Sequence, residues 1–101
     1  MAFLAAALVA GSVCAQQLST TPAPRDEGWK KRVERDAAKA KQGGWELVFI
    51  GDSITDFWQN RGKAEWDKYF GRYKALNLGI SADRTEHVLW RLDNGELEGY
   101  Q

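Results

Sequence analysis

A serine hydroxyl is set up for nucleophilic chemistry by Leu47-Val48-Phe49-Ile50 running straight into Gly51-Asp52-Ser53-Ile54-Thr55. Successive apolar residues read as a buried strand, and Gly51-Asp52 as the tight turn that ends it. Ser53 then opens a helix at the carboxyl edge of a parallel sheet, where open α/β folds bind ligands. The first amides of a helix lack partners within it, so they can hold a developing oxyanion. A plainer reading is a serine that caps a helix, and the residues alone leave the two open. A serine hydroxyl near neutral pH needs a base within hydrogen-bond reach. The only histidine is His87. It sits off the apolar stripe of its helix (Val88, Leu89 and Leu92) and reads as structural.

Other groups carry weaker signals. Asp52 and Asp56 could pair on a metal, but two carboxylates are few ligands for one. A phosphotransfer aspartate motif would need a second acid where Ile54 stands. Phe57, Trp58 and Trp66 could line an acyl or sugar pocket, although core packing is the commoner role of such rings. Basic and acidic residues balance at 14 each, and Lys30-Lys31-Arg32 is the longest basic run. That excludes a nucleic-acid footprint and leaves the run as a solvated helix face.

The elements that must position Ser53 follow from pattern. Asp26 is an N-cap for a helix whose Trp29, Val33, Ala37 and Ala40 share one face. Arg32 and Asp36 form an i,i+4 pair on its polar side, and Gly43-Gly44 ends it. A strand over 46–50 precedes a helix from near Ile54 that breaks at Asn60-Arg61-Gly62. A short helix spans 63–70, carrying Trp66, Tyr69 and Phe70, and Gly71 stops it. A second strand covers 74–78, the loop Gly79-Ile80-Ser81-Ala82-Asp83 follows, and a last helix runs from Arg84 to Asp93. Asn94-Gly95 closes that helix, and Trp90 points away from its stripe, toward an interface or missing sequence. Apolar strands alternating with helices imply an α/β class with a parallel sheet covered on both faces.

VFIGDSIT resembles the first block of the SGNH, or GDSL-type, hydrolases. NLGISADRTEHVLWRLDNGELEGY resembles the second block and following helix in the branch of platelet-activating-factor acetylhydrolase Ib catalytic subunits and their bacterial relatives. The resemblance covers about residues 28–101. It implies a flavodoxin-like three-layer α/β/α fold with a parallel sheet, of which this chain carries the N-terminal half. It also implies a serine esterase or acetylhydrolase working through an acyl-enzyme on Ser53, with the backbone amides of Ser53 and Ala82 as oxyanion donors. Asp52 and Asp83 support the two turns. No cofactor and no metal are implied, and the substrate is a small-molecule or glycan acyl ester. One position departs: the family places glycine before the second-block aspartate, where this chain has Ala82. An amide serves in either residue, but a positive φ there would strain alanine. The family's third block, with an Asn donor, and its last block, with Asp and His three residues apart, do not occur in these 101 residues. The chain alone is therefore expected to be inactive. The competing class is a non-catalytic remnant of the fold that binds a carbohydrate or a partner.

Residues 1–24 carry no charged side chain, and an apolar stretch ends in Val13-Cys14-Ala15. This resembles a signal peptide over 1–15, too short for a membrane span, followed by a linker over 16–25 and the hydrolase portion over 26–101. A secreted or periplasmic location is expected. N-terminal sequencing of the exported product should read Gln16 first; a cytoplasmic product that keeps Met1 rejects the leader.

Overall fold

The structure, a computed structural model, describes residues 18–98. The leader over 1–15 and the start of the linker lie outside the described residues. Helix α1 spans Glu27–Lys41, strand β1 Leu47–Gly51, helix α2 Ser53–Asp56, helix α3 Lys63–Tyr69, strand β2 Ala75–Gly79 and helix α4 Thr85–Asp93. Single 3-10 turns occupy Leu18–Thr20, Phe57–Gln59 and Gly71–Tyr73.

Asp26 caps α1 as its position predicts, accepting from the Trp29 amide at 2.9 Å. Glu27 in the first turn and Lys39 and Lys41 in the last oppose the helix dipole. Gly43 and Gly44, at φ +77° and +79°, take the chain out of the helix. The two strands pair in parallel, with Leu47 opposite Ala75 and Gly51 opposite Gly79. Each starts and ends one residue later than the pattern predicts, because each runs to its terminal glycine.

The sheet is covered on both faces, and the alternation of side chains decides by what. Val48 and Ile50 of β1 pack with Leu76 and Leu78 of β2 and Ala40 of α1. Phe49 points the other way, its ring 5.1 Å from both Trp66 and Phe70. Trp58 joins that aromatic cluster at 5.8 Å from Phe70. The chain is thus an α/β structure and a partial domain. Burial is uneven: Leu76 and Leu78 are enclosed, whereas Val48, Phe49 and Ile50 are half-buried. The expected buried strand is therefore β2 more than β1, although each strand pairs only with the other among the described residues.

Helix α4 reverses its expected orientation. It turns Glu86, Trp90 and Arg91 inward and leaves Val88 and Leu89 half-buried and Leu92 42% exposed. Trp90 does not await missing sequence: it packs on Trp29 of α1, with ring centres 5.3 Å apart. Arg91 is fully enclosed because it finds partners inside, Asp83, Glu96 and the Leu78 carbonyl. The Arg32–Asp36 pair forms, but on the inner side of α1, where Asp36 is buried. Burial pushes the Asp36 carboxyl above its usual range, against the pull of Arg32.

The segment expected as a linker is instead a strap over the start of α4. The Ala23 amide donates to the Glu86 carbonyl at 3.1 Å, and Thr85 Oγ1 to the Ser19 carbonyl at 2.8 Å. No helix among the described residues is long and apolar enough to cross a membrane.

Two glycines set how closely α2 lies on the strand ends. A Cβ on Gly79 would fall 2.7 Å from the Thr55 carbonyl carbon and would crowd the Asp56 amide too. A Cβ on Gly51 would fall 2.5 Å from Thr55 Oγ1. The obstruction at Gly79 is backbone, which cannot rotate aside. Gly79→Ala should therefore cost at least about 2 kcal/mol in chemical denaturation; an unchanged midpoint would show that α2 can lift off the sheet freely.

Candidate serine site at the strand ends

Ser53 is the first residue of α2 and is half-buried. Asp52 holds the turn before it: Oδ1 accepts from the Ile54 amide at 3.0 Å, and its carbonyl accepts from the Asp56 amide at 2.9 Å. Those bonds leave the Ser53 amide and hydroxyl without a partner among the described residues.

Across the sheet edge, Ile80 to Asp83 form a tight turn closed by the Asp83 amide on the Ile80 carbonyl at 3.1 Å. Ala82 occupies its third position at φ +71° and is exposed. That is the position at which a type II turn takes glycine. The Ala82 amide also has no acceptor among the described residues. Asp83 anchors the turn from below. Its carboxylate is enclosed and accepts from Arg25 Nη1 at 2.7 Å, Trp29 Nε1 at 2.8 Å and Arg91 Nη1 at 2.9 Å.

The structure does not bring His87 to the serine. Its Nδ1 accepts from the Arg84 amide at 2.9 Å, and its ring lies against Trp29 at 6.1 Å. A lone pair committed to closing the start of α4 is not free to take a proton from Ser53. Among the described residues no three acids, histidines or cysteines gather as a metal site.

A residue weighed in the sequence only as a metal or phosphoryl acid turns out to join the two turns. Asp56 Oδ2 accepts from both the amide and the hydroxyl of Ser81, each at 2.9 Å. Its Oδ1 accepts from Arg32 at 3.2 Å and Gln59 at 2.9 Å. Burial pushes this carboxyl up, but the Ser81 donors and Arg32 outweigh it and hold it below the usual carboxylate range. Asn77 works beside it, donating to the Thr55 carbonyl at 2.7 Å and accepting from the Gly79 amide at 2.8 Å. An Asn inside an otherwise apolar strand was the available signal.

Two openings lie beside the residues next to Ser53, although Ser53 itself lines neither. A groove of about 520 Å³ is bordered by Gly51, Asp52, Arg84, Thr85, Val88 and Leu89. A cleft of about 280 Å³ lies among Ile54, Phe57, Trp58 and Arg61. Ile54 is 78% exposed, and the Arg61 guanidinium stacks 4.3 Å above the Phe57 ring. The aromatic residues thus divide: Trp66 belongs to the half-buried cluster on Phe49, Phe57 to the cleft, and Trp58 touches both.

The φ of Ala82 yields a direct test. A left-handed non-glycine residue costs roughly 1–2 kcal/mol, and glycine returns part of that as unfolded-chain entropy. Ala82→Gly should raise unfolding stability by about 0.5–1 kcal/mol. A loss of stability in urea titration would show that the turn does not need the left-handed conformation.

No protein-family model matches the chain. The alpha1 subunit of platelet-activating factor acetylhydrolase IB from Rattus norvegicus is 45% identical to it over 74 residues, and that from Homo sapiens is equally so. The alpha2 subunit from Bos taurus is 40% identical over 73 residues. Each match takes in 72% of this chain and 31% of the relative, so the chain spans about a third of the length of the curated relatives it matches. At this identity over the matched segment, the chain is a homologue of part of the platelet-activating factor acetylhydrolase IB subunits, a branch of the SGNH-type hydrolases.

Proposed function

We propose that this chain is the nucleophile-bearing portion of a serine acetylhydrolase that cleaves short-chain acyl esters. The observation that carries the reading is Ser53 itself. It stands at the first position of α2 with its hydroxyl and amide unengaged, in a segment 45% identical to acetylhydrolase subunits. In this scheme Ser53 Oγ attacks the ester carbonyl and gives up its proton to a base. The carbonyl oxygen becomes an oxyanion held by the amides of Ser53 and Ala82. Collapse expels the alcohol and leaves an acyl-serine, which water cleaves to the acid. The base and the third oxyanion donor come from sequence outside these 101 residues, because His87 is engaged elsewhere. The cleft beside Ile54 and Phe57 suits a small apolar group. The uncharged leader favours an exported enzyme acting on acyl esters of small molecules or glycans.

The commitment of His87 to its helix also favours the second reading, a binding module that kept the fold without the chemistry. A fusion separates the two. The chain is joined to the part of a Homo sapiens alpha1 subunit that lies beyond the matched segment, and hydrolysis of p-nitrophenyl acetate is followed. The fusion should turn over, Ser53→Ala should lower its rate by at least about a thousandfold, and His87→Ala should leave it unchanged. The 101-residue chain alone should show no turnover above buffer. Full activity in a folded Ser53→Ala fusion rejects the nucleophile, and an inert, folded fusion favours the binding module.

A further inference from the structure

We propose that Asp56 is a positioning residue: acting through Ser81, it fixes the Ala82 turn against the Ser53 turn, and with it the spacing of the two proposed oxyanion amides. The inference rests on the reading of Ser53 as nucleophile.

The need for such a clamp follows from the size of α2. One helical turn, Ser53–Asp56, cannot hold its own shape or place, since an isolated helix that short is unstable. Its position is set by what it touches. Its backbone rests on Gly79, which limits approach but not sideways slip. The turn at Ile80–Asp83 is fastened from below through Asp83, to α1, α4 and the strap. None of those bonds reaches α2. The direct side-chain link between the two turns is the Asp56 carboxylate on the Ser81 amide and hydroxyl. Arg32 closes the arrangement from α1, donating to Asp56 at 3.2 Å and to the Gly79 carbonyl at 3.0 Å. Asp56 lies in the same helical turn as Ser53, and Ser81 directly precedes Ala82. The carboxylate therefore ties the helical turn that carries Ser53 to the residue before Ala82. Misplacing reacting groups by about 1 Å can cost on the order of a hundredfold in rate, so a link that fixes one turn against the other matters to more than folding.

The test reads amide exchange on the 101-residue chain, and on the fusion described above it reads the binding of ethylboronic acid, which forms a tetrahedral adduct on an activated serine oxygen. Amide exchange and adduct formation are both read by NMR. In Asp56→Ala the Ser81 amide should exchange at least about tenfold faster relative to the Leu76 and Leu78 amides. The boronate should bind at least about tenfold more weakly. Asp56→Asn keeps an oxygen for Ser81 and should stay within about threefold of the parent on both readings. A merely structural ion pair predicts otherwise: Asp56→Asn, which loses the charge on Arg32, would behave like Asp56→Ala. That result overturns the proposal, as does unchanged Ser81 exchange in Asp56→Ala. Should Asp56→Ala lose its sheet amides, Ser81→Ala, which removes the hydroxyl contact alone, carries the same comparison. The nucleophile is judged separately. No adduct on the parent fusion, or an adduct that survives Ser53→Ala, counts against Ser53, while the exchange ratio still decides the clamp.

Discussion

The guanidinium of Arg91 is the constraint on which the other elements depend. It is fully enclosed, and an isolated buried charge is costly enough that it must be met on every side. Nε donates to Glu96 at 3.0 Å, Nη1 to Asp83 at 2.9 Å, and Nη2 to the Leu78 carbonyl. One side chain thereby ties β2, the turn after it, α4 and the chain beyond α4. Asp83 passes the connection to Trp29 and Arg25. Burial pushes Glu96 upward, Arg91 pulls it back, and the nearby Asp36 and Asp83 add to the push. Removing one partner of such a pair leaves the other charge uncompensated, typically about 3–5 kcal/mol. The arrangement also explains why α4 buries polar residues and leaves its apolar stripe outside.

Two kinds of contact then divide the work of building the site. Close backbone approach at Gly51 and Gly79 sets how near α2 sits to the strand ends. Side-chain hydrogen bonds from Asp56, Asn77 and Arg32 set where it sits along them. The first is steric and tolerates almost no added atom. The second is directional, so it orients the turns without filling the space between them. The strained φ of Ala82 belongs to the same economy: the turn geometry is imposed from below by Asp83, and alanine is held in a conformation that glycine would adopt freely.

Most elements were legible because they rest on local signals. Asp26 announces α1, Gly43-Gly44, Gly71 and Asn94-Gly95 punctuate the helices, and the apolar run before Gly51 marks β1. The orientation of α4 was not legible. Its apolar stripe predicts the inner face, and a buried arginine wins only when the partners that surround it come from three other segments, which no window along the chain reveals. The same holds at the site. Ser53 and Asp52 are neighbours in sequence and could be read together. Asp56 and Ser81 are 25 residues apart, and their bond became visible only once β1 and β2 had brought the two turns side by side. Trp90 was misread for a related reason, because its partner Trp29 lies on the first helix.

The strap also bears on the order in which the molecule assembles. Arg25 meets Asp83 across 58 residues of sequence, and Thr85 meets Ser19 across 66. Contacts between such distant positions close late, after the loop between them has been ordered by shorter-range pairing. The N-terminal segment leaves the ribosome first, yet it can dock only when α4 has formed. The turn bearing Ala82 is thus fastened in part by a segment translated well before it, since the Asp83 carboxylate takes Arg25 as well as Trp29 and Arg91. A state in which the strap is undocked holds this turn with one cation fewer.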